Sequence, residues 1–273
     1  MNHPNRNAGR SFDQLREIKI SYNSFGYAPG SVLFELGNTK VLCSVSMAPG
    51  VPPFLKGTKT GWLTADYAML PNSGTTRSSR ESSQAKRNER SIEISRLIGR
   101  SLRAIVDLST LNERTIHVDC DVLQADGSTR TAAITGSCIA LQMAVETWLA
   151  SGQLTTNILT DTIVAVSVGI KDNKPFMDLD FNEDNTIDAD YNFVLTKSNA
   201  IIEIQGTAEK SPLSWSQFEQ MKELAIQGSS TLFSLIDLSF ASRDCVQKNP
   251  NTVTLKSDRS SLFSLKNRFV NVG

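Results

Sequence analysis

The sequence has few of the features that mark specialised classes of protein. Its four cysteines are widely spaced, and no two form a CxxC pair, so neither a zinc site nor a disulfide framework is indicated. No apolar run approaches the roughly 18 residues of a membrane span. The polar first ten residues also lack the apolar core of a signal peptide. These absences favour a protein of the reducing cytoplasm, with no membrane partner.

The sequence also lacks a charge excess of either sign. Lys plus Arg and Asp plus Glu number 28 each, so the formal net charge is zero. A nucleic-acid partner would therefore require a local basic patch rather than a basic protein as a whole. The 273 residues, of which 40% are hydrophobic, are enough for one large domain or two small ones with a substantial core.

The clearest local pattern lies between Val118 and Gly136. Apolar residues alternate with polar ones up to Val122, which predicts a half-buried strand, and Asp126-Gly127 predicts a tight turn. A helix over Ala132 to Ala150 follows. The start of a helix carries unpaired N–H groups and positive potential, so this turn could bind an anion. On spacing alone, an ordinary strand–turn–helix in which Ser and Thr residues merely cap the helix is favoured over an anion site.

A second anion site is predicted at the start of an amphipathic helix over Glu89 to Leu108. Its apolar residues recur at the i, i+3, i+4 spacing of one buried face. Arg90 falls near the apolar edge in the first turn, so we expect it to point inward. A buried arginine requires an anion or an acidic partner.

Two polar segments are candidates for function. The loop Asn72 to Asn88 carries four basic residues and one acid, and suits either a phosphate-backbone partner or a solvated surface. The segment Glu183 to Asp190 has four acids in eight residues. Carboxylates so close together repel each other unless a cation or shared protons intervene, and their oxygens suit Mg²⁺. Taken by itself, the segment favours a solvated acidic turn before the strand Asn192 to Thr196.

The remaining pattern predicts a mixed α/β domain without internal repeats. A flexible arm over residues 1–15 precedes a β-meander, and a polar tail follows the last helix. The other predicted strands and the last helix are Ile18–Tyr22, Ser31–Leu36, Thr39–Met47, Trp62–Met69, Asp161–Val168, Phe176–Phe181, Asn192–Thr196, Ala200–Gln205 and Ser214–Gln227.

Several long motifs in the same order make the chain resemble the ribonuclease PH family of phosphorolytic 3′-to-5′ exoribonucleases. The similarity extends from Gly9 to about Asp237. The motifs that carry it are Gly30–Leu33, Thr39–Cys43, Phe54–Gly57, Gly61-Trp62, Thr64-Ala65, Met69–Pro71, Glu93-Ile94, Arg96–Ile98, Asp119–Gly127, Thr129–Ala132 and Ile204–Glu209. The resemblance implies a catalytic domain over residues 16–239, with a tail over 240–273 of unassigned role.

The resemblance implies an α/β (α+β) fold like domain 2 of ribosomal protein S5, with mixed β-sheets and packed helices. It implies that inorganic phosphate attacks the 3′-terminal phosphodiester of RNA, especially precursor tRNA, and releases nucleoside diphosphates. It also implies hexameric rings built as trimers of dimers. A catalytically silent, RNA-binding subunit of an exosome-like ring is the alternative, and a kinase is disfavoured because no glycine-rich ATP loop is present.

The resemblance also assigns roles to individual residues. The residues implied to bind phosphate are Arg90, Ser128, Thr129 and Arg130. Asp184 and Asp190 are implied to hold Mg²⁺ or Mn²⁺ or to act as the acid, and Arg77 and Arg80 to contact RNA. Ser128 stands where the family has glycine, so a positive φ there would strain the backbone. Asn72 stands where the family usually has arginine, which predicts one weaker RNA contact.

Overall fold

The fold is described from a computed structural model that covers residues 6, 9–83 and 86–248. It contains two β-sheets and four α-helices, which confirms the predicted mixed α/β class. The chain divides into two units at Leu235 and Ile236, and beyond that point the structure describes the last part of one helix, to Lys248. Residues 249–273, most of the predicted tail, lie outside the described residues.

The first sheet has five strands in the order β1-β2-β3-β5-β4. They are β1 (Ile18–Tyr22), β2 (Gly30–Leu36), β3 (Thr39–Pro49), β4 (Trp62–Met69) and β5 (Arg114–Gln124). The first three form the predicted antiparallel meander, and β5 pairs antiparallel with β3 and parallel with β4. Alternate residues of β5, among them Val118, Cys120 and Val122, are buried, which confirms the strand predicted from the alternation.

The second sheet has four antiparallel strands in the order β7-β6-β8-β9. They are β6 (Ile163–Lys171), β7 (Lys174–Met177), β8 (Ala189–Thr196) and β9 (Ile201–Ala208). Eight consecutive residues of β6 are buried, as expected for a strand covered on both faces. β6 and β8 therefore supply a rigid platform next to the acidic segment.

The helices are α1 (Glu89–Arg103), α2 (Thr129–Ala150), α3 (Phe181–Asp184) and α4 (Trp215–Lys248). α1 ends five residues before Leu108, where the sequence predicts its end, because Asp107 caps a separate 3₁₀ turn over Leu108–Leu111. α4 continues well past its predicted end at Gln227. The hydroxyl groups of Ser230 and Thr231 donate to carbonyls one turn back, so these residues are accommodated within the helix.

α2 is the core helix of the larger unit. Most of its residues are buried on every side, and it packs against β2 and β3 of one sheet and β6 of the other. A Cβ atom on Gly136 would lie 2.9 Å from Cys43 Sγ and 3.0 Å from Phe34 Cβ, so glycine permits this close approach to the first sheet. α1 packs on β4, with Ile94, Ile98 and the other predicted apolar residues buried.

Among the residues that the structure describes, two helices are long and apolar enough to cross a membrane by length and composition alone. They are Thr129–Ala150, whose relevant window is 78% buried, and Trp215–Arg243, whose window is 39% buried. Such helices are weak support for a membrane span, because a core helix satisfies the same test. α2 is a core helix of this kind.

Candidate active site

The turn before α2 is shaped to present backbone N–H groups. Gly127 has φ +75° and Ser128 has φ +56°, so both residues are left-handed. The N–H of Ala132 donates to the Ser128 carbonyl at 3.0 Å, which is the first bond of the helix. The N–H groups of the residues between them precede that bond and point from the positive end of a 22-residue helix.

Ser128 does not cap the helix with its side chain. Its hydroxyl lies 2.7 Å from Ser167 Oγ and donates to the Leu179 carbonyl at 2.9 Å, and no side-chain cap bond is formed. The interpretation of this turn as an ordinary capped helix is therefore wrong for Ser128. The positive φ that was expected to strain a serine is present, and the two hydroxyl bonds offset that strain.

Thr129, the first residue of α2, is buried beneath the turn. Its Oγ1 accepts a 3.0 Å hydrogen bond from the Tyr67 hydroxyl. Burial raises the pKa of Tyr67, so its phenol stays protonated and remains the donor. The hydroxyl hydrogen of Thr129 is thereby left to donate elsewhere.

Arg90 lies in the first turn of α1, where the sequence predicts the second anion site. Asn88 caps α1 by accepting from the Arg90 N–H at 2.9 Å. The expectation that the side chain is buried is wrong: Arg90 is exposed. It nevertheless lines the same cavity as Ser128.

One cavity of about 170 Å³ brings together all the residues predicted to bind phosphate and both predicted carboxylates. α1 and the start of α2 form one side, and α3 and β8 form the other. The lining residues are Arg90, Ser128, Thr129, Arg130, Ser167, Leu179, Asp184, Asp190, Asn192 and Glu209. Residues from α1, α2, β6, α3 and β8 therefore meet at one place.

The two carboxylates of this cavity share an electrostatic environment. The pKa of Asp190 is raised to about 6, first by burial and then by the charge of Asp184. The pKa of Asp184 is also raised by loss of surrounding water, although the positive charge of Arg90 opposes that rise. Both groups therefore hold protons more readily than ordinary aspartates do, and a cation between them would relieve their repulsion.

Arg130 is held by polar neighbours rather than left free. Its guanidinium donates to Gln205 Oε1 at 3.0 Å and lies 3.7 Å from Glu93 Oε1. Gln205 in turn donates to Glu93 at 3.1 Å. This arrangement orients Arg130 from β9 and α1 while its charge still acts on Asp190 within the cavity.

The basic loop lies beside this cavity. A neighbouring cavity of about 500 Å³ shares Arg90, Ser128, Thr129 and Asp184 with the first one, and residues 73–76, 78, 79 and 81 of the loop line it. Arg77 and Arg80 are exposed on the same loop but are not among the lining residues. Asn72 is exposed as well.

Four polar residues at or beside the cavity were not predicted from the sequence as site residues, and the apolar Leu179 also lines it. Asn192 donates to Asp190 Oδ2 at 3.4 Å, and Ser167 bonds Ser128. Gln205 and Glu209 lie in the Ile204–Glu209 motif that carries the family resemblance, which is the signal that could have identified them. For Ser167 the only signal is a polar residue within an otherwise apolar strand.

The donor set allows two kinds of chemistry. Two arginines and a helix start are suited to an inorganic phosphate or a phosphodiester. Two carboxylates can bind a divalent cation together with substrate phosphates and water, or one of them can transfer a proton. Within residues 6, 9–83 and 86–248, no group of three or more His, Cys, Asp or Glu side chains is arranged to hold a metal by itself.

The chain matches known proteins over both of its sheets. Residues 14–145 match domain 1 of the 3′ exoribonuclease family, and residues 161–228 match domain 2. Proteins named ribonuclease PH from Tropheryma whipplei strains Twist and TW08/27 are each 55% identical to it over 228 residues, which cover 83% of this chain and 92% of each relative.

Solved structures of exosome proteins share the fold. Rice (Oryza sativa) Rrp46 aligns with a TM-score of 0.69 at 20% identity, over 86% of this chain and 99% of that one. A chain of the Archaeoglobus fulgidus exosome with RNA bound to the active site aligns with a TM-score of 0.71 at 25% identity, over 85% and 92%. A chain of an archaeal exosome core aligns with a TM-score of 0.68 at 25% identity, over 84% of this chain and 90% of that one.

Proposed function

Because this chain belongs to the 3′ exoribonuclease family, matching both of its domains, we propose that it is a phosphate-dependent 3′-to-5′ exoribonuclease. The observation that carries this proposal is the 170 Å³ cavity in which Arg90, Arg130 and the start of α2 face Asp184 and Asp190. The anion-binding side suits the attacking phosphate, and the acidic side suits the leaving oxygen.

The proposed reaction is a phosphoryl transfer to inorganic phosphate. A phosphate oxygen attacks the phosphorus of the last internucleotide bond, and the bond from that phosphorus to the 3′-oxygen of the preceding nucleotide breaks. The 3′-oxygen takes up a proton, and the terminal nucleotide leaves as a nucleoside 5′-diphosphate. Because a phosphoanhydride bond is formed, the reaction is reversible and the enzyme is also a nucleotidyltransferase.

The residues that line the cavity have different roles in this reaction. Arg90, Arg130, the Thr129 hydroxyl and the N–H groups at the start of α2 hold and orient the phosphate, with Ser128 shaping the turn. Positioning and charge stabilisation of this kind account for most catalysis of phosphoryl transfer. Asp190 or Asp184 supplies the proton if it is protonated, which the raised pKa of each favours.

The carboxylates fit a divalent cation. Mg²⁺ commonly binds through one or two carboxylates together with substrate phosphates, and the Asp184–Asp190 pair offers this number. A bound Mg²⁺ or Mn²⁺ would spread the charge that develops on the phosphate oxygens. Glu209, which also raises the pKa of both carboxyls, adds to the negative potential that would attract it.

The RNA substrate would approach through the neighbouring cavity. That cavity opens beneath the loop that carries Arg77 and Arg80, and it ends at residues shared with the reaction site. Exposed arginines on this loop suit the sugar–phosphate backbone, which makes binding salt-dependent. Precursor tRNA with extra 3′ nucleotides is the substrate class we propose, on the basis of family membership.

We also propose a homo-hexamer and a cytoplasmic location. The similarity to chains of an exosome and of an archaeal exosome core supports an assembly of several chains, and the family resemblance supports a hexamer built as a trimer of dimers. Cys43, Cys120 and Cys138, whose side chains the structure describes, are free and buried, which is compatible with a reducing compartment.

The test is product identification. An oligoribonucleotide is incubated with Mg²⁺ in the presence and absence of orthophosphate, and the released mononucleotides are separated. We expect nucleoside diphosphates with phosphate and almost no degradation without it. A variant carrying both Asp184→Asn and Asp190→Asn controls for contaminating nucleases. Release of nucleoside monophosphates at equal rates in both buffers would contradict the proposal, and RNA binding without any release would favour a silent ring subunit.

A further inference from the structure

The segment that leads into α3 is bonded to arginines from the start of the chain. Arg6 donates through Nε to Glu183 Oε1 at 2.7 Å and through a terminal nitrogen to Oε2 at 3.1 Å. The same terminal nitrogen donates to the carbonyls of Met177 at 2.7 Å and Asp178 at 3.1 Å. Arg6 is only 7% exposed although the sequence predicts a flexible arm over residues 1–15.

Arg10 reinforces the same contact from a second position. Its guanidinium donates to Glu183 Oε2 at 3.2 Å and to the Asp178 carbonyl at 3.1 Å, and lies 3.5 Å from Asp178 Oδ2. Asp180 Oδ2 is 3.9 Å away. Arg10 is 8% exposed. Two largely buried guanidinium groups therefore converge on Glu183, the residue immediately before Asp184.

Arg16 holds the beginning of the segment. Its terminal nitrogen and Nε donate to the two Asp178 carboxylate oxygens at 2.7 and 2.9 Å, and its backbone N–H donates to Oδ2 at 2.7 Å. Asp178 is 1% exposed. This bidentate pair attaches the segment to the residue two positions before β1, and Asp178 is shared with Arg10.

α3 needs this support because it is only four residues long. An isolated helical turn is unstable, since nucleation orders several residues for one hydrogen bond. In α3 the bond from the Asp184 N–H to the Asp180 carbonyl is 2.9 Å. Glu183 completes a capping box by accepting from the Asp180 N–H at 3.1 Å, so one carboxylate both closes the turn and receives the arginines.

We propose that Arg6 and Arg10 are positioning residues for the reaction, because through Glu183 they hold α3 in place and set where the Asp184 carboxylate lies in the cavity. Neither arginine lines that cavity, so their effect on the reacting atoms is indirect. This inference rests on the proposed function only for its kinetic readout. The expected change in the backbone of α3 is independent of any activity.

The inference also changes how Glu183 is understood. Glu183 is one of the four acids of the segment Glu183 to Asp190, and the family resemblance gives it no role of its own. The structure pairs its carboxylate with Arg6 and Arg10 on the side of α3 away from the solvent. Its removal would leave two buried cations without their main partner, which is costly.

The experiment compares Arg6→Lys, Arg10→Lys and Glu183→Gln with the parent. Lysine keeps the charge but cannot reproduce the fork of hydrogen bonds, so folding is least disturbed. Amide hydrogen exchange is followed for peptides covering residues 178–187, with peptides of α2 as the internal reference. The rate of RNA turnover and the KM for orthophosphate are measured on the same samples.

We expect faster exchange in residues 178–187 with α2 unchanged, and a roughly tenfold loss of kcat, as for other residues that orient a catalytic ligand. The KM for phosphate should change less than about twofold, since phosphate is held by other elements. Arg100→Gln is the matched control, because it breaks the exposed pair with Glu203 between α1 and β9 and should alter neither quantity.

Unchanged exchange and unchanged kcat in folded Arg6→Lys and Arg10→Lys would overturn the inference. Faster exchange throughout the protein would also overturn it, because that would indicate a global stabilising role. If the parent itself releases no diphosphates, the proposed function fails while exchange at 178–187 still decides whether the arginines hold α3. Faster exchange confined to that segment, with kcat intact, would show that Asp184 does not depend on them.

Discussion

Ser128 Oγ lies 2.7 Å from Ser167 Oγ, and this pair holds the turn before α2 against β6 of the second sheet. Because Ser128 donates its hydrogen to the Leu179 carbonyl, Ser167 is the donor between the two hydroxyls. Ser167 Oγ in turn accepts from the Leu179 N–H at 3.2 Å. The left-handed residue of the turn is thus tied to β6 and to the segment before α3.

Substitution of Ser128 should separate backbone strain from hydroxyl bonding. Ser128→Ala keeps the positive φ and loses the bonds, so we expect a loss of about 1–3 kcal/mol in the free energy of unfolding and a higher KM for phosphate. Ser128→Gly relieves the strain and should be less damaging. Urea unfolding measures the free energy of unfolding, and titration with phosphate measures the KM. Equal effects of Ser128→Ala and Ser128→Gly would contradict the strain argument. Ser230→Ala, at an exposed position of α4 outside the cavity, is the matched control.

Arg130→Ala should weaken phosphate use while RNA binding stays nearly intact. The lost charge-assisted contact is worth about 1.5–3 kcal/mol, which corresponds to an increase in phosphate KM of roughly 10- to 100-fold. Arg96→Ala, on the exposed face of α1, is the matched control. Loss of RNA binding with an unchanged phosphate response would mean that Arg130 serves the RNA instead.

The double variant Arg77→Ala, Arg80→Ala should weaken binding of long RNA and make it less dependent on salt. Both side chains are exposed, and each phosphate contact that is lost releases about one counterion fewer. The measurement is the slope of the logarithm of affinity against the logarithm of salt concentration. Turnover of a very short oligonucleotide should fall less. An unchanged slope would identify the loop as a solvated surface.

Asp184→Asn and Asp190→Asn should each reduce turnover by orders of magnitude with the fold retained, because both line the cavity and asparagine preserves shape but not charge. Excess Mn²⁺ should partly rescue a variant that lacks a metal ligand. Rescue by Mn²⁺ should fail for a variant that lacks the residue donating the proton, since added metal does not restore a proton donor. Asp188→Asn, in a carboxylate paired with Lys210 outside the cavity, is the control. Near-parental turnover in both variants would remove these residues from the reaction.

Asp190 should also destabilise the metal-free protein at neutral pH. Its pKa rises from 3.8 to about 6 on folding, so the stability it contributes is present below pH 3.8 and is lost as the pH rises through 6. At about 1.4 kcal/mol per pH unit, the loss amounts to roughly 3 kcal/mol. In EDTA, Asp190→Asn should therefore have a higher Tm than the parent at pH 8 and nearly the same Tm near pH 4. A difference in Tm between the variant and the parent that did not vary with pH would contradict the raised pKa of Asp190.

Much of the local structure follows from the sequence. The alternation that ends at Val122 predicts β5, and the apolar spacing from Ile94 onward predicts the buried face of α1. These predictions are confirmed because the periods of 2 and 3.6 residues depend only on the backbone geometry of each element. Family membership, too, is readable from motifs such as Asp119–Gly127.

Helix ends and side-chain burial were predicted less well. Arg90 was expected to be buried and is exposed, because helical periodicity gives the face on which a residue lies but not what covers the first turn. α4 runs past Gln227, and the hydroxyl groups of Ser230 and Thr231 bond within it, which composition alone does not reveal. In both cases the deciding contacts lie outside the repeating pattern.

The sequence by itself determined the family, the strands and helices, and the identity of the charged groups: two arginines, a small-residue turn and a pair of acids. Only the tertiary structure decided that Asp190 loses most of its water, that Ser128 is bonded to Ser167, and that Glu183 is bonded to Arg6 while its neighbour Asp184 lines the cavity. The physical reason is the separation of these residues along the chain. Strand pairing and helix packing bring together residues as far apart as 6 and 183, and a local sequence pattern does not indicate which side chains then come into contact.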